Sequence, residues 1–157
     1  MNYRMEMAKE RLDSAHILLE HHNFKDSKGR SYYAMFTAVR AILALDGVDF
    51  KKHAGVISYF QKEYIKTGVF EVRYSKYLSQ AFQIRNNTDY ADFFIVSKED
   101  ADEQYARAKD FYEMIKNYLP GRVNRKVLEE EFAERQIPLI YQTKEAVMRF
   151  FLTADLH

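Results

Sequence analysis

Residues 85–90, Arg-Asn-Asn-Thr-Asp-Tyr, form the polar run in this sequence with the clearest potential for chemistry. Arg85 and Asp89 are four residues apart, so on a helix they lie on one face and can pair. With Asn86 beside it, Arg85 also offers several hydrogen-bond donors to phosphate oxygens or to nucleic-acid base edges. The alternative interpretation is a structural Arg–Asp pair at the end of a helix.

A second pattern, at residues 29–36, places Tyr32 and Tyr33 next to each other beside Arg30. Adjacent positions on a helix point about 100° apart, so the two rings face different sides. One ring then belongs to the core, and the other lines a groove or an interface. The functional interpretation is that Tyr33 stacks on a nucleic-acid base beside Arg30. The alternative is a core aromatic residue together with an interface aromatic residue.

A third pattern is a basic segment that leads into the start of a predicted helix, Lys51-Lys52-His53. The N-terminus of a helix favours anions because its backbone N–H groups are unpaired and its dipole end is positive. His53 is therefore a candidate phosphate contact.

The sequence lacks the residues that several other kinds of functional site require. The chain has no cysteine, which excludes disulfide scaffolds, zinc ribbons and thiol catalysis. His21 and His22 are adjacent and cannot easily chelate one ion from a helix, and Glu-x-x-His motifs are absent from the sequence. Phosphate-binding loops, dinucleotide-binding turns and nucleophile elbows are also absent. We therefore predict no metal site and no cofactor.

Helices must position these side chains, because apolar residues recur every three or four positions through most of the chain. Gly47 is placed to end the second helix as a left-handed cap, and Gly68 to stop the third. Ser97 and Asp100 resemble a capping box that opens a fifth helix. The five predicted helices span about residues 5–19, 32–45, 53–67, 71–90 and 97–119.

Pro120-Gly121 is expected to close the fifth helix. A charged sixth helix is predicted over residues 124–135, and a last helix begins at Thr143 after a break at Pro138. Short strand-like segments are limited to residues 93–96 and 139–141.

These elements predict an all-α protein with two parts. Residues 1–119 form an up-and-down bundle of four to five helices. Residues 122–157 form a C-terminal helical extension that packs on the bundle or on a partner subunit.

Composition places this bundle among ordinary globular proteins. The 157 residues include 24 Lys and Arg against 23 Asp and Glu. Residues 1–90 carry 14 basic and 10 acidic side chains, and this modest excess could attract phosphate. The sequence has neither an apolar stretch long enough to span a membrane nor a secretory leader, so we expect a soluble, cytoplasmic protein.

Four elements in this order resemble the HEPN domain family over about residues 5–118. They are the apolar face from Ala8 to Leu19, the run Arg30 to Phe36, the segment His53-Ala54-Gly55-Val56 with Phe60, and Arg85 with Asp89-Tyr90. The similarity is greatest to the bacterial and archaeal subgroup whose members often accompany minimal nucleotidyltransferases.

The resemblance implies a helical bundle that forms a homodimer with a cleft between its subunits. Many HEPN domains are metal-independent ribonucleases with an Arg-x(4–6)-His motif. Arg85 matches the arginine, whereas Tyr90 stands where the histidine would be at the four-residue spacing. An unperturbed tyrosine, with a pKa of about 10, is a poor base at neutral pH.

Two functions follow from this resemblance. The first is a HEPN-like module that dimerises and binds RNA or a nucleotide, as the partner of a nucleotidyltransferase or within a toxin–antitoxin or defence system. The second is a metal-independent ribonuclease in which Arg85 works with Asp89, Tyr90 or His53. A purely structural oligomerisation domain, with Arg85 and Asp89 as a buried pair, is the remaining alternative.

Overall fold

The computed structural model describes residues 2–90 and 95–134, and for residues 87–90 it describes only the helical backbone. Within these ranges every regular element is helical, so the protein is an all-α helical bundle. The strand-like segment at 139–141 and the last helix from Thr143 lie outside the described residues. The helices are α1 (Tyr3–Glu20), α2 (Phe24–Leu45), α3 (His53–Phe60), α4 (Val72–Tyr90) and α5 (Lys98–Glu134), with a π-helical segment over Gln61–Ile65.

The first two helices form an antiparallel hairpin, because only three residues connect them. Asn2 caps α1 by accepting a hydrogen bond from the backbone N–H of Arg4 at 2.9 Å. The buried hydroxyl of Ser27 donates to the carbonyl oxygen of Ala15 at 2.7 Å. This bond joins the first turn of α2 to the last half of α1.

Two predicted helix ends, at Gly47 and Gly68, are found close to those glycines. Gly47 and Gly68 both adopt left-handed backbone angles, with φ of 72° and 79°. The predicted third helix is shorter than expected, because α3 ends at Phe60 and continues as the π-helical segment. In that segment the side chain of Gln61 donates hydrogen bonds to the hydroxyls of Ser75 and Ser79 on α4.

The core surrounds α2, which is buried on most of its circumference. Its predicted apolar face is confirmed, and small residues such as Ala38 and Ala41 let neighbouring helices approach its other sides. The predicted faces of α1, α3, α4 and α5 also lie in this core. Buried members include Met5, Leu12, Met35, Ile42, Val56, Phe60, Leu78 and Ile115.

The prediction that Pro120-Gly121 ends the fifth helix was wrong, because α5 runs on to Glu134. Ser97 does cap its start, and its hydroxyl accepts the N–H of Asp100 at 3.1 Å. A proline removes one helical hydrogen bond, but strong helix formers fill the sequence after it. Arg125 and Glu129, four residues apart, add an ion pair at 3.3 Å. The separate sixth helix is thus the second part of α5.

The chain divides into two units between Lys116 and Asn117, and the described residues of the candidate site belong to the first. The functional division at residues 119 and 122 stays a prediction, as does the packing of the extension.

Candidate functional site

A cavity of about 520 Å³ contains several of the predicted site residues. Four helices build it: the end of α1, the first half of α2, the last half of α4, and the start of α5 with the residues before it. Arg30 and Tyr33 come from α2, and Arg85 comes from α4. The rest of the wall includes Leu18, Lys25, Asp26, Lys28, Ala81, Ile84, Val96 and Gln104.

The described part of this wall carries a net positive charge. Lys25, Lys28, Arg30 and Arg85 line the cavity together, whereas Asp26 is the single carboxylate among the described lining residues. Like charges gathered around a partly enclosed space raise the local concentration of anions. The arrangement therefore suits a phosphate group.

Gln104 gives the cavity wall a second polar feature. Its side chain is buried, and its amide nitrogen has no hydrogen-bond partner among the residues that the structure describes. A buried donor without a partner costs about 1–3 kcal/mol. A hydrogen-bond acceptor brought by a ligand or by water would offset that cost.

Arg85 lies between the cavity and a cluster of aromatic rings. Its guanidinium carbon is 4.9 Å from the centre of the Tyr33 ring and 5.6 Å from that of Tyr32. These distances are typical of cation–π attraction. Its Nη1 atom also lies 3.5 Å from Nδ1 of His53.

His53 belongs to this aromatic cluster. Its ring stacks on Phe36 with the centres 4.0 Å apart and the planes 17° from parallel. Its Nδ1 lies 2.8 Å from the hydroxyl oxygen of Tyr32. Although 32 residues separate His53 from Arg85 along the chain, packing of α3 beside α2 and α4 brings their side chains together.

Burial and neighbouring charges shift two pKa values in this cluster. Burial raises the pKa of the fully enclosed Tyr32 hydroxyl, so it keeps its proton at any physiological pH. Burial also lowers the pKa of His53, and the positive charges of Arg85 and Arg40 lower it further. The imidazole of His53 is therefore neutral at pH 7.

The structure brings four of the seven predicted site residues together: Arg85, Tyr33 and Arg30 around the cavity, and His53 behind Arg85. Asn86 is half-buried on α4 and is not among the described lining residues. The side chains of Asp89 and Tyr90 lie outside the description, so their predicted roles and the Arg85–Asp89 pair stay predictions.

Sequence reasoning missed other members of the site. Lys25 and Lys28 are three residues apart near a helix start, a spacing that could have indicated one basic face. Gln104 gave no such signal, because a single glutamine in a charged helix is common. Tyr32 was expected in the core, where it lies, but its hydrogen bond to His53 was not foreseen.

Two further observations limit the chemistry of the described residues. The described side chains, those of residues 2–86 and 95–134, include no group of three or more His, Asp or Glu placed to hold a metal ion. None of the helices in the same ranges is long and apolar enough to cross a membrane.

Comparison with known proteins gives consistent results. A model of the HEPN domain matches residues 1–118. A UPF0332 protein of Thermotoga maritima is 30% identical over 119 residues, which cover 76% of this chain and 90% of the relative. A protein of Methanocaldococcus jannaschii named "Putative toxin MJ0142" is 30% identical over 127 residues, covering 81% and 84%. A second from that organism, "Putative toxin MJ0605", is 32% identical over 115 residues, covering 73% and 85%.

Proposed function

Because this chain belongs to the HEPN domain family, we propose that it is a HEPN module that binds RNA or a nucleotide through phosphate. The observation that carries the proposal is the cavity in which Lys25, Lys28, Arg30 and Arg85 surround one space. Neutralising phosphate charge is the main source of affinity in most nucleic-acid complexes.

Arg85 is the central residue of the proposed site. Its planar guanidinium can donate two parallel hydrogen bonds to one phosphate group, which a lysine cannot do. Tyr33 places an aromatic ring beside it, and bases of single-stranded nucleic acids stack on aromatic rings within cationic grooves. The volume of about 520 Å³ is within the range of small-ligand sites and is compatible with one nucleotide.

The proposed partners rest on what membership of the family implies. We propose that the module forms a homodimer and serves as the partner of a nucleotidyltransferase, in a toxin–antitoxin or defence system. Two relatives whose names contain the word toxin support the toxin–antitoxin context.

Binding of a short fluorescent single-stranded RNA to the purified protein tests the main proposal. Arg85→Ala should weaken the affinity by about tenfold or more, since a charge-assisted hydrogen bond is worth about 1.5–3 kcal/mol. The affinity should also fall as salt is raised, with a shallower slope for the variant.

Arg107→Ala is the matched control for that experiment. Arg107, on α5, also lies over a tyrosine ring, at 5.0 Å from the centre of Tyr77, but it is not among the described residues that line the cavity. RNA affinity should be unchanged by this substitution. Equal affinity of wild-type protein and Arg85→Ala would refute phosphate binding at the cavity.

A metal-independent ribonuclease is the second candidate. The observation in its favour is that an imidazole lies within 3.5 Å of Arg85, although no histidine stands five to seven residues after Arg85, where the family motif has one. RNA cleavage in EDTA by the wild-type protein, abolished by Arg85→Ala, would establish this activity. Intact RNA after prolonged incubation would reject it and leave the binding function in place.

A further inference from the structure

We propose that Tyr32 and His53 form a positioning pair that holds the Arg85 guanidinium toward the cavity, with His53 acting as a neutral hydrogen-bond acceptor rather than as a base. The inference rests on the proposed function for the role of Arg85 in binding phosphate. It assigns to His53 and Tyr32 a role at a distance from the ligand.

The placement of His53 supports this role. His53 is not among the described residues that line the cavity, whereas Arg85 and Tyr33 are. Arg85 thus has the cavity on one side and His53 on another, at 3.5 Å from Nδ1. An imidazole in this place can orient the guanidinium by accepting a hydrogen bond from it.

The hydrogen bonds around Nδ1 determine which nitrogen of His53 carries the proton. Arg85 can only donate, because a guanidinium has no acceptor. Tyr32 keeps its phenolic proton and lies 2.8 Å from the same nitrogen. A proton on Nδ1 would face the N–H groups of Arg85, so the stable neutral form has Nδ1 unprotonated and the proton on Nε2.

This tautomer has a chemical consequence. A general base needs a free lone pair, but the single lone pair of Nδ1 is shared between the Tyr32 hydroxyl at 2.8 Å and the Arg85 guanidinium at 3.5 Å, and Nε2 holds the proton. His53 therefore cannot remove a proton from an RNA hydroxyl in this arrangement. If the second candidate function is correct, His53 would therefore position Arg85, and a different group would act as the base.

The ring of His53 is also fixed in position. It stacks on Phe36 at 4.0 Å, and Phe82 lies 6.3 Å away. The hydroxyl of Tyr32 comes from a fully buried ring, so its direction is set by the core of the bundle. The orientation of Arg85 is thereby linked to the packing of α2.

Two substitutions of His53 separate the acceptor from the ring. His53→Phe keeps an aromatic ring to stack on Phe36 but removes the acceptor. His53→Asn removes the ring but places an amide oxygen close to the position of Nδ1. We expect His53→Phe to weaken RNA affinity about five- to tenfold, the size of one lost hydrogen bond, and His53→Asn to stay within about twofold of wild type.

Thermal unfolding of each variant shows whether it is folded, and NMR of the ligand-free protein provides an independent test. Long-range proton–nitrogen spectra should show the proton of His53 on Nε2, and His53→Phe should shift the side-chain Nε–H resonance of Arg85. A proton on Nδ1, or full RNA affinity in His53→Phe, would overturn the positioning role. If Arg85→Ala leaves affinity unchanged, the proposed function fails, while the NMR result still decides the tautomer and the contact with Arg85.

Discussion

Removing the hydroxyl of Tyr32 tests the hydrogen bond on which the proposed positioning of Arg85 depends. In Tyr32→Phe the ring keeps its place in the core, where it is 0% exposed, and only the oxygen is lost. The lost bond to His53, at 2.8 Å, is worth about 0.5–1.5 kcal/mol. Because His53 is only partly buried, water can reach it and limit the further penalty. We therefore expect a loss of about 1 kcal/mol in the free energy of unfolding.

Urea unfolding followed by circular dichroism measures this change, and the midpoint should fall without a change in slope. The melting temperature should fall by about 2–4 °C for a protein of this size. A double-mutant cycle with His53→Phe supplies the control. In His53→Phe the acceptor Nδ1 is absent, so the buried hydroxyl of Tyr32 has lost its partner. In that background Tyr32→Phe should leave the free energy of unfolding unchanged or raise it. A loss of about 1 kcal/mol in both backgrounds would refute the bond between Tyr32 and His53.

Three further outcomes are expected. Because the pKa of His53 is lowered in the folded protein, the unfolded chain binds a proton first as pH falls. The contribution of His53 to the free energy of unfolding is therefore fully present above about pH 6.5 and declines below it until the folded pKa is passed. Urea titrations should show a weaker decline in His53→Asn, and an identical decline would contradict the lowered pKa. In Gly55→Ala the added Cβ would lie 3.1 Å from atoms of Phe50. This crowding should outweigh the gain in helix propensity and lower the free energy of unfolding by about 1 kcal/mol. A more stable variant in urea unfolding would show that Phe50 moves aside freely. Pro120→Ala restores a backbone N–H that can donate a hydrogen bond to the carbonyl of Lys116 within α5. We expect slower amide hydrogen exchange around residue 120. Unchanged exchange would show that the proline does not weaken the helix.

The local features of the fold were predictable because they depend on short-range rules. Helical spacing identified the apolar faces of α1, α2 and α4, and the structure buries those faces. Gly47 ends α2 in a left-handed conformation because a residue without a Cβ tolerates it best. Ser97 caps α5 because its hydroxyl reaches an N–H three residues ahead.

The same rules failed at Pro120. A proline–glycine pair usually stops a helix, and the local prediction followed that preference. Here the residues after the pair favour the helix strongly enough for it to continue to Glu134. The unfavourable helix propensity of one residue is small compared with the summed favourable propensities of the residues in the following turns.

The sequence by itself predicted where the first four helices and the start of the fifth lie and which faces they bury. It also singled out Arg85 as a candidate for phosphate chemistry. Tertiary packing decided which side chains meet it. His53 contacts Arg85 from another helix, and Lys25 and Lys28 face the same cavity from α2. Charged and polar residues are tolerated almost anywhere on a helix surface, so their spacing carries little information about distant partners. Only the packing of helices around α2 sets those distances.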